Sequence, residues 1–205
     1  MGKEASLGKI TTELSMSLDG FIAHADDSVD HLFDWYNDGE IEVKTADPRW
    51  TFRTSEASAN HIRDNFRKCG CIVSGRRLFD YTNGWGGKHP IGVPVVVVTH
   101  GRLPKKWIAE HPDAPFTFVT DGIINALEKA KGIAGKKNVS VAGPNVIQQC
   151  INLGLLDEIC ISLVPVLIGA GIPFFGKLSK SPVKFDGPRI VEGKGVTHLY
   201  YTVRK

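Results

Sequence analysis

Three places in this chain end an apolar run on a glycine or a polar cluster and set cations or free backbone N–H groups just beyond it. Val139-Ser-Val-Ala142 is short and apolar, as a strand buried on both faces would be, and Gly143-Pro144-Asn145 follows at once. Gly143 permits a turn that a side chain would obstruct, and Pro144 suits the first turn of a helix whose apolar stripe is Ile147, Cys150 and Ile151. Such a turn aims unpaired N–H groups outward and is a natural seat for phosphate, although a glycine there also serves geometry alone. Cys71-Ile-Val-Ser74 runs in the same way into Gly75-Arg76-Arg77. Two guanidinium groups at a helix start oppose the helix dipole by a few tenths of a kcal/mol, and a bound phosphate would reverse that penalty. The third place is Val93–Val98 followed by Thr99-His100-Gly101-Arg102.

The elements that must position these residues alternate strand and helix. An opening strand over Lys9–Leu14 leads into Ser15-Met-Ser-Leu-Asp-Gly-Phe-Ile22-Ala23, where Asp19-Gly20 signals a turn, either in a bent edge strand or in a loop folded over a ligand. Asp26-Asp27-Ser28 offers caps for a helix over Val29–Tyr36, with Val29, Leu32, Phe33 and Tyr36 on one face and Asp30 and Asp34 on its flank. A solvated face accounts for both carboxylates; so does a cleft edge. Residues 37–53 read as a surface excursion, and Thr54-Ser55-Glu56 caps a helix running to about Lys68. The loop Asn83–Pro90 holds Trp85, an odd residue for a mere connector. Phe116–Val119 is a strand, and Asp121 caps a helix to about Lys131. Gly154 ends the helix after Pro144, Leu155–Val164 is a further strand, and Val183–Ile190 and Val196–Val203 close the chain, the last with the alternation of an antiparallel edge.

Composition narrows the class. A chain of 205 residues with 42% hydrophobic and 23% charged residues is expected to be one soluble domain over 1–205. A net charge of +3 is too small to mark a nucleic-acid or membrane surface. No apolar run approaches the roughly 18 residues of a membrane span, and Met1–Lys9 has no signal-peptide core, so a cytoplasmic location is expected. Cys69, Cys71, Cys150 and Cys160 lie in apolar patterns and are expected to be reduced and packed. The seven histidines include no i, i+4 pair, and no G-x-S-x-G elbow occurs, so no metal is expected and hydrolase readings lack their parts.

Gly75-Arg76-Arg77, Thr99-His100 and Ala142-Gly143-Pro144-Asn145, taken in order with the Ser15–Ala23 and Leu163–Gly171 stretches, resemble the dihydrofolate reductase-like superfamily. The likeness is closer to its branch formed by the C-terminal reductase domain of the riboflavin-biosynthesis deaminase/reductase, and it spans roughly Lys9–Val203. The resemblance implies an α/β, three-layer fold with a central, mostly parallel sheet and an antiparallel C-terminal strand. It also implies NADPH as hydride donor and a homodimer. By position, Ser15 and Ile22 would offer backbone contacts to the nicotinamide carboxamide. Gly75, Arg76 and Arg77 would meet the phosphates, Thr99 and His100 would lie near the 2′-phosphate, and Ala142, Gly143, Pro144 and Asn145 would carry the pyrophosphate. Leu78 stands where many relatives have a phosphate-binding Thr, and Trp85–Pro90 replaces the stretch that meets a ribosyl phosphate. The expected activity is reduction of a planar heterocycle, a ribosylaminopyrimidine or a pterin; a nucleotide-binding module without catalysis is the rival. Asp30, whose helix would follow the cofactor-covering loop, is the candidate proton donor, with Asp27 second.

Overall fold

The computed structural model describes residues 8–176, 178–179 and 181–205. In chain order its elements begin with β1 (Ile10–Ser17), β2 (Phe21–Ala23), β3 (Ile41–Lys44), β4 (Thr51–Thr54), α1 (Glu56–Lys68), β5 (Cys69–Gly75) and α2 (Arg76–Tyr81). Then follow β6 (Val95–Val98), α3 (Lys105–Glu110), β7 (Phe116–Val119), α4 (Ile123–Ala134), β8 (Asn138–Ala142) and α5 (Pro144–Asn152). The chain closes with β9 (Glu158–Val164), β10 (Ile172–Pro173), β11 (Phe185–Gly193) and β12 (Val196–Val203).

Eight strands form one sheet in the order β11-β12-β9-β1-β8-β5-β6-β7, with β9 through β7 parallel and β12 and β11 antiparallel. The steps β1 to β5, β5 to β6 and β6 to β7 run one way along the sheet and carry α1, α2 and α3. The steps β7 to β8 and β8 to β9 run back and carry α4 and α5. Right-handed crossovers put these two groups on opposite faces, which is why the inner strands are apolar on both sides. Alternate residues divide accordingly: Cys71, Val73, Val96 and Val98 pack with Ile123, Leu127 and Ile147 of α4 and α5, whereas Ile72, Val95 and Val97 pack with Phe79 of α2 and Trp107 of α3. The four cysteines are free and buried, and burial pushes each thiol pKa up.

α1 begins where the sequence places it: Ser55 Oγ accepts the Ser58 N–H at 3.4 Å, and Arg67 and Lys68 complement its C-terminal dipole. The helix expected over Val29–Tyr36 does not form. Asp26 Oδ1 instead accepts the Ser28 N–H (3.0 Å) and O–H (2.7 Å), a local turn in place of a cap. Asp27 and His31 take φ of 70° and 64°, which no right-handed helix contains. Only a 3-10 turn, Asp34–Asn37, remains; it buries Trp35, while Phe33 is 44% exposed. Residues 37–53 are also more than an excursion, since β3 and β4 pair as a hairpin. α4 starts after Gly122, whose φ is 102°, so Asp121 is not its cap. Trp85 is half-buried with His89 and Phe116, which accounts for an aromatic in that loop.

Candidate active site

All six parallel strands end at one edge, and the residues singled out in the sequence collect there. β5 and β8 are in register up to Ser74 opposite Ala142, and β5 and β6 up to Gly75 opposite Val98. Gly75, Thr99 and Gly143 therefore stand side by side. β5 sends its chain forward through α2 and β8 sends its chain back through α5, so the crevice between them is the point where winding reverses. In open α/β sheets that is where ligands bind. The two turns nearly touch: the position a Cβ on Gly143 would occupy is 4.0 Å from the Gly75 backbone N. Gly143 has φ 91° and ψ 135° and Pro144 opens α5, so the first-turn N–H groups of α5 and α2 face one crevice. The glycine is required by its backbone angle and not by crowding, which corrects the steric reason given above. Ser74 Oγ, buried at the same crevice, has no hydrogen-bond partner among the described residues.

Beside the crevice the sheet opens. β1 and β9 are in register from Thr11 to Ser17, but β1 and β8 only at Ile10–Thr11. Thr12 Oγ1 then donates to the Val141 carbonyl at 2.8 Å in place of a ladder bond. Beyond it, the edge of β1 bearing Ser15 and Ser17 faces Ala142 and Gly143 without a ladder. The Ser15 side chain points away from this slot and accepts the Trp35 indole N–H at 3.0 Å, which leaves its backbone as the group that can meet a ligand. Ile22, in β2, packs against the main core. The Asp19 carboxylate accepts the N–H groups of Ile168 (3.1 Å) and Gly169 (2.6 Å) and the Ser17 O–H (2.5 Å). It thereby clamps the glycine loop after β9 onto the turn after β1. The Ser17 hydroxyl first, then the N–H groups, hold its pKa below the ordinary carboxylate value.

The cations are present but already engaged. Arg76 donates to Asp80 (2.7 Å) and to the Arg102 carbonyl (2.6 Å), and Arg77 pairs with Asp27 at 2.9 Å. Thr99 is buried, its Oγ1 accepting the Gly101 N–H at 3.1 Å, while His100 is exposed and the Asn145 side chain accepts from Gln149 at 2.6 Å. Asp30 lies exposed on the turn that replaced its helix, so the reason for choosing it is gone; Asp27 spends its carboxylate on Arg77.

A second polar centre, missed in the sequence, lies on the sheet face beneath α1. The His61 side chain has no exposed surface; its Nε2 meets Glu13 Oε1 and its Nδ1 meets the Tyr200 hydroxyl, while Asn65 donates to Glu13 Oε2. His198 stacks on His61 at 3.7 Å and sits between Ser58 Oγ (3.0 Å) and Ser162 Oγ (2.9 Å). Burial, then the neighbouring His61, drives the His198 pKa down to about 3, so it stays neutral. Burial first, with Cys160 second, raises the Tyr200 hydroxyl to about 12. Glu13, His61 and Cys160 form a set whose donor atoms lie within 4.8 Å of one another. Its members come from β1, α1 and β9, so no local spacing announces them. A cavity of about 530 Å³ adjoins the cluster, reaching Glu13, Ser15, Tyr36, Asn65, Arg189 and Tyr200.

With this geometry in hand, comparison with known proteins gives a consistent picture. The chain is 27% identical over 177 residues to the uncharacterized protein YyaP of Bacillus subtilis (strain 168), covering 82% of this chain and 80% of that protein. Among solved structures it is similar to a protein of Shewanella sp. PV-4 described as belonging to riboflavin biosynthesis, with a TM-score of 0.70, 19% identity and coverage of 96% and 99%. It is also similar to the dihydrofolate reductase of Enterococcus faecalis complexed with NADP(H), with a TM-score of 0.58, 13% identity and coverage of 97% and 98%. At these identities the structures establish the dihydrofolate reductase-like fold. The model of the RibD C-terminal domain matches residues 8–192, and this chain belongs to that family.

Proposed function

We propose that this chain is an NADPH-dependent reductase that passes a hydride to a nitrogen heterocycle. Its nearest functional likeness is to 5-amino-6-(5-phosphoribosylamino)uracil reductase of riboflavin biosynthesis, acting in the cytoplasm as a homodimer. The observation that carries the reading is the crevice where the N-termini of α2 and α5 converge beside the slot between β1 and β8. These residues fit a dinucleotide. The N–H groups after Gly75 and those beyond Pro144, which has none of its own, suit a pyrophosphate, and the Ser74 hydroxyl, without a partner among the described residues, has a hydrogen bond to give. Arg76, with Arg102 and His100 nearby, supplies charge for a 2′-phosphate. The slot between Ser15 and Ala142 would admit the nicotinamide edge-on, to be held by the β1 backbone. The cofactor would supply the hydride; the chain's part is to align it, exclude water and provide a proton. Membership in the RibD C-terminal family and the NADP(H) complex of a fold relative support the same reading, and among the described residues no helix is long and apolar enough to cross a membrane.

The test is NADPH and NADH binding by fluorescence, then NADPH oxidation with a panel of aminopyrimidines and pterins. NADPH should bind at least about tenfold tighter, roughly 1.4 kcal/mol, with Arg76→Ala removing most of the preference. Equal affinity for the two cofactors would place these cations outside the site. Tight binding with no turnover across the panel would leave a binding module on the same fold.

A further inference from the structure

The proposed reduction needs a proton as well as a hydride; Asp30 lies exposed on a turn away from the sheet face, and Asp27 is held by Arg77. We infer that the cavity beneath α1 receives the heterocycle and that Glu13 is its ring-nitrogen partner and proton donor, with His61 and Asn65 positioning it. This rests on the reductase reading above and deepens it.

Position is the first argument. Side chains alternate along a strand, so Glu13 lies on the same face of β1 as Ser15, about 7 Å further down. The cavity touches both residues, so it runs along this face of β1 from the carboxylate toward the strand end that borders the slot proposed for the nicotinamide. At about 530 Å³ it is of a size that holds a bicyclic heterocycle.

Chemistry is the second. Glu13 is 27% exposed and lines the cavity, whereas His61 is shut away behind it. Both carboxylate oxygens are tethered, one to His61 and one to Asn65, so the group is aimed and cannot swing aside. Tyr36 and Tyr200 line the walls, and the Arg189 guanidinium lies 3.6 Å over the Tyr200 ring, giving flat surfaces for a planar ligand. The other face of β1 carries Ile10, Leu14 and Met16 in the main core, and an apolar set here would avoid the cost of burying polar groups.

The step balances. The substrate's C=N carbon accepts the hydride with its two electrons, the π pair moves to nitrogen, and that nitrogen takes the proton from Glu13. Solvent entering the cavity then returns a proton to Glu13, which His61 and Asn65 hold in place, while NADPH has become NADP⁺. The groups facing Glu13 are His61 and Asn65 from α1, Cys160 from β9, Tyr200 with His198 behind it from β12, Arg189 from β11 and Tyr36 from the 3-10 turn.

The probe is 2,4-diaminopyrimidine, whose ring nitrogen protonates with a change in ultraviolet spectrum. With wild-type protein, held above the probe's own solution pKa, the bound probe should show the protonated spectrum. Glu13→Gln should bind it at least about tenfold more weakly, without that spectrum, while its NADPH affinity stays within about twofold. Glu13→Asp should restore part of the spectral change, and Arg76→Ala should weaken NADPH binding but not the probe. Should Glu13→Gln fail to fold, Asn65→Leu, which frees one carboxylate oxygen, should still weaken the probe several-fold. Equal probe affinity in wild type and Glu13→Gln, a neutral bound probe, or no probe binding to a protein that binds NADPH would each overturn the inference. Probe binding that follows this pattern in a protein indifferent to NADPH would uphold the cavity and sink the cofactor reading instead.

Discussion

At the scale of single residues, Gly143 shows how a sequence reading can single out a glycine that the backbone requires and still give the wrong cause for it. Its conspicuous place between an apolar strand and a proline made it legible, but the demand on it is a φ of 91° with ψ 135°, not a shortage of room. Gly143→Ala should therefore lose about 1–3 kcal/mol from backbone strain alone, lowering the thermal midpoint by roughly 2–4 °C per kcal/mol without ligand. An unchanged midpoint would mean that the turn relaxes freely. The same strain makes Gly143→Asp a poor test of charge at the crevice, since it would disturb fold and ligand together. Asp19 was legible as the residue shaping its turn, and its carboxylate indeed spans two loops. Its folded pKa lies below the ordinary 3.8, so whatever it contributes is complete above that value and is lost as pH falls through the folded pKa. Urea midpoints taken between about pH 6 and pH 3 should fall less steeply for Asp19→Asn than for wild type, and parallel curves would show that the clamp contributes nothing. Glu13 was not legible at all. Its partners are 48 and 52 positions away in His61 and Asn65, and only the pairing of β1 with its neighbours brings them together.

At the scale of elements, the strands and α1 were readable because their signals are local and agree. Apolar runs end at glycine, Ser55 caps α1 within one turn, and Val196–Val203 alternates along its length. The segment Val29–Tyr36 failed because two local signals compete: its apolar spacing suits a helix, while Asp26 offers Ser28 a turn that satisfies the same donors sooner. The outcome is decided by tertiary packing, which draws Leu32 and Trp35 against Val43, Ala59 and Ile62 and leaves Phe33 outside. The two patterns predict different mutational profiles. Leu32 is fully buried, so Leu32→Ala should cost about 2–5 kcal/mol. Phe33→Ala should cost about 1 kcal/mol or less, since that ring is 44% exposed and meets Tyr36 edge-on. Denaturant titrations giving equal losses at both positions would restore the helical stripe and count against the turn.

At the scale of the whole molecule, the doubly wound topology explains why residues from three distant stretches meet at one edge, and that much follows from strand–glycine–helix repetition read in order. What cannot be read in advance is how the sheet ends. β7 closes one side with four residues, but β11 leaves nine along the other, and most of its central residues are exposed. Pro188 and a register shift between Asp186 and Arg189 blunt the first half of that strand, as edge strands commonly are. The second half has no such guard: it carries Ile190, 54% exposed, and runs regularly to Gly193. An unguarded edge beside an exposed branched side chain is stable in water only if something covers it, and a second copy related by a two-fold axis can cover it symmetrically. We expect sedimentation equilibrium at micromolar concentration to give twice the 22.4 kDa chain mass. Ile190→Lys, which puts a charge on each side of such a junction, should shift the protein to the single-chain mass without lowering its helix content. A wild type that sediments as a monomer removes the prediction, and a dimer untouched by the lysine moves the interface away from β11.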